Sequence, residues 1–255
     1  WFFRTSPSDA RQGQVLADIA ISRGQTDMAV TYTNNDYGKG LADAFASAYE
    51  AVGGTITVMS GHEDDKADYS ADVAALSAGG SSTLAVLGYA DTGGKGIIAA
   101  SEDTGAFTDY VFADGMISTT TSGAVGDGSW GTLPAPSGAL AANWLSVAEA
   151  GGVDGTGAYS AESYDAMALI ILASQAAGST DRAAIQAQVM NVANAPGSLC
   201  SAGGLGDCLK WISGGLVVDY VGATGVEFTA VGEGKGSYAE KEVIGGAFTT
   251  VASHE

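Results

Sequence analysis

The chain has 255 residues, 46% of them hydrophobic, enough to build a sizeable core. Ten Lys and Arg against 29 Asp and Glu leave a net charge of −19, which excludes a phosphate-binding surface for nucleic acid and an anionic membrane face. Such an excess of carboxylates keeps a protein soluble and monomeric. No window approaches the roughly twenty uncharged apolar residues of a membrane span.

In chain order, the opening Trp1-Phe2-Phe3-Arg4 carries no initiator Met and no basic segment before an apolar one, so it reads as an excerpt or a processed product. Ser6-Pro7-Ser8-Asp9 starts a helix: Ser6 can cap, Pro7 fits the first turn and Asp9 suits the dipole. Val15, Leu16, Ile19 and Ala20 mark its apolar face and Gly24 ends it. A strand–helix unit then repeats. Strands are predicted at 28–33, 55–60, 83–87 and 110–113, and helices at 37–52, 69–78 and 94–103, a parallel doubly wound pattern. From 115 to 136 the chain is rich in Gly, Ser, Thr and Pro, and it reads as a crossing or a surface excursion. Helices return at 137–150, 158–177 and 181–192, and short alternating strands fill 216–251. These later helices lack parallel strands to cover, so about a hundred residues of another sheet are expected before Trp1, on the usual domain size.

Chemical motifs are few. Cys200 and Cys208 are the only cysteines, eight apart in a Gly-rich loop; a small-loop disulfide is preferred over two buried thiols and favours an oxidising compartment. With His62 and His254 far away in sequence, a zinc site lacks ligands, and no metal or cofactor is expected. The run 88–96 faintly echoes a P-loop, but Lys95 is out of register and followed by Gly96. Gly38-Lys39-Gly40 fails as a dinucleotide fingerprint because position 43 is Asp. Gly128-Ser129-Trp130-Gly131 misses the hydrolase elbow, with Asp at 127 and a loop setting. Glu63-Asp64-Asp65 and Asp68 read as a solvated loop. No catalytic residues are assigned.

What remains is Tyr37, Tyr89 and Asp114, each just past a predicted strand end. Open α/β sheets bind ligands outside the carboxyl ends of their strands, and two phenols with a carboxylate suit a small zwitterion. Each has a plain alternative: a packing aromatic for the tyrosines, a turn residue for Asp114.

At these residues the chain resembles the periplasmic leucine/isoleucine/valine-binding family, the type I substrate-binding proteins of branched-chain amino acid ABC transporters. The resemblance rests on Phe3-Arg4-Thr5-Ser6-Pro7-Ser8-Asp9 with Gln12-Gly13, on Asn34-Asn35-Asp36-Tyr37-Gly38-Lys39-Gly40-Leu41-Ala42, and on Gly88-Tyr89, Ala113-Asp114-Gly115 and Tyr164-Asp165-Ala166. The stretch Asp219-Tyr220-Val221-Gly222-Ala223-Thr224-Gly225 with Val226-Glu227-Phe228 adds the family's final segment.

The resemblance implies an α/β fold of two Rossmann-like lobes on a hinge, with the ligand cleft between them. Residues 5–120 would form lobe 2, 121–215 a mainly helical return to lobe 1, and 216–255 the last strands and hinge crossing, most of lobe 1 preceding residue 1. Tyr37 would pack on the ligand, Tyr89 would supply a wall or a hydrogen bond, and Asp114 would bind an α-ammonium. The family commonly has Glu at the last position, so the shorter Asp alters the reach. The implied protein is not an enzyme. It is an exported, periplasmic, monomeric binding protein with a signal peptide, handing an amino-acid-like ligand to a membrane permease. A ligand-sensing receptor ectodomain is the alternative, and a small-molecule-processing α/β enzyme a distant third.

Overall fold

The computed structural model describes residues 2–255. Two compact units emerge. One, here the parallel unit, holds Asp9–Leu133 and Ala239–His254; the other, the helical unit, holds the described residues before Asp9, then Pro134–Tyr238 and Glu255.

The parallel unit alternates as its sequence period demands: α1 (Asp9–Ser22), β1 (Asp27–Thr33), α2 (Asp36–Ala51), β2 (Thr55–His62), α3 (Ser70–Ser77), β3 (Thr83–Leu87), α4 (Gly93–Thr104) and β4 (Asp109–Phe112). A 3-10 turn over Asp114–Met116, the single turn α5 (Thr119–Ser122) and β5 (Trp130–Pro134) follow. Pairing is parallel throughout β2-β1-β3-β4-β5. β3 is buried at every position, the run of apolar residues expected of a strand covered on both faces. Leu16, Leu41 and Phe45 of α1 and α2 are wholly buried, and Val73, Leu76, Ile97 and Ile98 of α3 and α4 pack with Leu84, Val86, Tyr110 and Phe112.

The helical unit contains α6 (Gly138–Ala150), α7 (Ser160–Ala177), α8 (Arg182–Ala193), β6 (Ser198–Ser201), α9 (Leu205–Ser213) and β7 (Val218–Gly222). Its core gathers Leu169, Leu172, Val189, Val192, Val218, Tyr220 and Phe228. Cys200 and Cys208, both buried, form a disulfide joining β6 to α9, worth about 2–3 kcal/mol on loop-closure arguments. The chain ends in β8 (Tyr238–Ile244) and β9 (Ala247–His254), which complete the sheet order β2-β1-β3-β4-β5-β8-β9.

Two expectations need correction. The 115–136 stretch is not simply a crossing or a surface excursion: Trp130–Pro134 is a fully buried strand, Val111 pairing with Trp130 and Phe112 with Gly131. Its Gly, Thr and Pro content hid it, because tertiary burial outweighs propensity in so short a strand. Likewise Cys200 and Cys208 sit on a strand and a helix rather than in a loop, and β6 with β7 gives the later helices a two-stranded parallel sheet.

Two carboxylates are buried at α7. Asp165 accepts from Tyr220 Oη (2.7 Å), Ala223 N (2.8 Å), Thr224 N (2.9 Å) and Thr224 Oγ1 (2.7 Å), so its burial is compensated. Glu162, 5% exposed, is less well compensated: burial lifts its pKa to about 7, its own backbone N–H opposes the rise and Asp165 adds to it. The folded chain therefore keeps a proton that the unfolded chain releases above its ordinary pKa of 4.5. That contribution is fully present below pH 4.5 and is lost as pH rises through about 7. Urea titrations should show Glu162→Gln gaining on the parent by about 3 kcal/mol between pH 4 and pH 8, since a proton held only by the folded chain is worth about 1.36 kcal/mol for each pH unit crossed. A constant difference between the two proteins across that range would contradict this account.

Candidate functional site

Because β1, β3 and β4 run parallel, the loops that leave them share one rim of the parallel unit. Tyr37 lies in the first turn of α2, whose start is fixed by Asn35, the side chain of which accepts from Gly38 N at 2.9 Å. Tyr89 follows β3, and Asp114 opens the 3-10 turn after β4. Residues far apart in sequence meet here. Tyr37 Oη donates to Asp114 Oδ1 at 3.3 Å, and the Tyr37 and Tyr89 rings stack with centroids 5.2 Å apart and planes inclined by 27°.

Burial, reinforced by the Asp114 carboxylate, raises the Tyr37 phenol well above its usual pKa, so it remains a proton donor at any physiological pH. Tyr89 is 38% exposed and presents its ring to solvent. The loops that carry Tyr89 and Asp114 are joined directly: Ala90 N donates to Gly115 O at 3.0 Å. A Cβ on Gly115 would lie 2.4 Å from Gly88 O and 3.1 Å from Tyr89 Cδ1, so this approach needs glycine.

One carboxylate beside two aromatic faces suits a compact cation such as an ammonium group. Nothing in the trio pairs a nucleophile with a base. Among the described residues no group of three or more His, Cys, Asp or Glu is arranged to hold a metal ion.

The acidic run after β2, expected to be a solvated loop, does more than that. Asp64 is half-buried and accepts from Thr33 Oγ1 (2.7 Å), Thr92 Oγ1 (2.9 Å) and Gly93 N (3.3 Å). Beneath it His62 is 1% exposed, with Nδ1 2.9 Å from Thr31 Oγ1, and burial lowers its pKa. Charge run and composition alone carry no sign of this. The one available hint is that Thr33, Asp64 and Thr92 each stand at or just after a predicted strand end.

The weak motifs stay weak for physical reasons. At the P-loop echo the N-terminus of α4 already receives the Asp64 carboxylate, which would repel a phosphate. Ser129 of the elbow near miss is buried and leads into β5; the loop setting expected there is half strand. His254, on β9, stands 2.7 Å from Glu240.

A parallel doubly wound sheet with a ligand-type rim is the architecture of small-molecule-binding α/β proteins. The family model described as periplasmic binding protein matches residues 1–203. The Leu/Ile/Val-binding protein homolog 3 of Brucella melitensis is 34% identical over 93 residues, 36% of this chain and 25% of that protein. Among solved structures, the leucine-binding protein LivK of Thermotoga maritima superposes with a TM-score of 0.73 at 20% identity, covering 99% of this chain and 67% of its own. A solute-binding protein of R. palustris in complex with benzoate gives 0.70 at 14% identity, covering 98% and 64%. The curated match thus spans a quarter of that relative's length, and the structural matches about two thirds of theirs. The chain belongs to the periplasmic binding protein family, and its fold is of that family's type I class.

Gly115→Ala is expected to cost about 1–3 kcal/mol in thermal or urea unfolding, the usual range for overpacking, and to displace the Tyr89 ring. An unchanged melting curve would mean the two loops can part freely.

Proposed function

We propose that this chain captures an amino acid, or a closely related amide or carboxylate, and releases it unchanged to the membrane permease of an ABC importer, working outside the cytoplasm. The observation that carries the reading is Asp114 hydrogen-bonded to one ring of the stacked Tyr37–Tyr89 pair. In the reading, Asp114 takes the α-ammonium and the stacked rings line one side of the ligand's aliphatic part. A unit charge pair at 4 Å is worth about 4 kcal/mol at an effective dielectric of 20, enough to decide between ligands that differ in sign. Family membership supports a binding role, and no helix among the described residues is long and apolar enough to cross a membrane.

The solved relatives divide on ligand: one structure from Desulfitobacterium hafniense is in complex with Leu, and one from R. palustris with benzoate. Benzoate has no cation to offer Asp114 and would bring a second negative charge to an acidic rim, so the ammonium-bearing class is preferred here.

Calorimetric titration of the chain with branched-chain, polar and aromatic amino acids, and with benzoate, tests the reading. An amino acid should bind, and Asp114→Asn should weaken it roughly 10- to 100-fold, the 1.5–3 kcal/mol of a hydrogen bond to a charged group. Binding of benzoate alone, or an affinity indifferent to Asp114→Asn, would overturn it.

A further inference from the structure

Asp64 lies in the loop after β2, yet it touches the loops of both ligand-rim tyrosines. Thr33, whose hydroxyl it accepts, is the last residue of β1, and from there the chain runs directly into Tyr37. Thr92 and Gly93, which donate to its other oxygen, connect Tyr89 to α4. α4 has no side-chain cap of its own at Thr92, so Asp64 supplies the acceptor from another loop.

The surrounding contacts hold that loop in place. Asn34 N donates to His62 O at 2.9 Å and Asn34 Nδ2 to Glu63 Oε1 at 2.6 Å, while Tyr69 Oη donates to Glu63 O at 2.7 Å. Below, the buried His62 ring fills the space under the Tyr89 loop. The Thr31 hydroxyl donates to Ser60 O at 3.0 Å, so it accepts from Nδ1–H, and Nε2 faces Gly88 without a hydrogen-bond partner. A Cβ on Gly93 would stand 2.7 Å from His62 Cδ2 and 3.0 Å from Asp64 Oδ1. Only glycine lets α4 start close enough for the carboxylate to reach its first N–H.

We infer that Asp64 is a positioning residue for ligand binding: one carboxylate ties the end of β1 to the start of α4 and thereby sets the spacing of the Tyr37 and Tyr89 rings. The functional consequence rests on the reading of those rings as the binding surface, but the spacing itself is measurable without ligand.

The test follows inter-ring nuclear Overhauser contacts between Tyr37 and Tyr89 in the full chain, assigned with Tyr37→Phe and Tyr89→Phe. Asp64→Ala should abolish them, and Asp64→Asn and Gly93→Ala should weaken them. Asp68→Ala is the control. It removes bonds to Ser70 N (2.9 Å) and Ser70 Oγ (2.7 Å) in the same loop and should leave the ring contacts intact while lowering stability. Unchanged ring contacts in folded Asp64→Ala would overturn the inference. Should that variant not fold, unchanged contacts in both Asp64→Asn and Gly93→Ala would do so, as would their loss in Asp68→Ala. If the contacts respond to Asp64 while the parent binds no amino acid, Asp64 still sets the ring spacing and it is the proposed function that fails.

Discussion

Parallel pairing of five neighbouring strands is the constraint from which the rest of the parallel unit follows. A parallel ladder forces every strand to be followed by a crossover, and with right-handed crossovers the strand ends and helix starts collect on one rim. Tyr37, Tyr89 and Asp114 come from three separate crossovers, so no local segment could assemble them. The same geometry explains why Asp64 can act on both tyrosine loops: β2 pairs with β1, and β1 with β3, so its loop runs beside each.

Four acidic side chains show how environment assigns roles to one chemical group. Asp165, wholly buried, is held by four donors from the β7 end and serves the core of the helical unit. Glu162, three residues earlier, has fewer donors for the same loss of water, and its carboxyl holds its proton to about pH 7. Asp64 is charged and multiply bonded at a helix start, where the N-terminal dipole favours it. Asp114 accepts from a phenol that burial keeps protonated. Counting carboxylates separates none of these; counting their donors separates all of them.

The legible part of the fold is its periodic part. Apolar runs at 28–33 and 83–87 match strands that are almost wholly buried, and the helix expected at 137–150 starts one residue later and ends where expected. β5 and α9 are illegible for different reasons. β5 is buried by a neighbouring strand and the chain's final hairpin, which a local window of Gly, Thr and Pro does not register. α9 carries a good apolar face in Leu205, Leu209 and Ile212, but the preceding Gly-rich run and the cysteines point toward a loop. At the site, residue type at strand ends is enough to name Tyr37, Tyr89 and Asp114. It cannot name Asp64, because a role defined by three donors on two other loops exists only after the sheet order is known.

The electrostatics of the rim also bear on the ligand. Helix starts at the ends of parallel strands are ordinarily anion sites, since free N–H groups and the dipole both favour negative charge. At α4 that capacity is already taken by Asp64, and at α2 Asn35 takes the Gly38 N–H. Asp114 adds a further carboxylate to the same rim. Two anion-attracting ends are thus satisfied internally, and the remaining formal charge is negative, on a chain whose net charge is −19. Stacked aromatic faces accept aliphatic and aromatic ligands alike and attract cations at their centres.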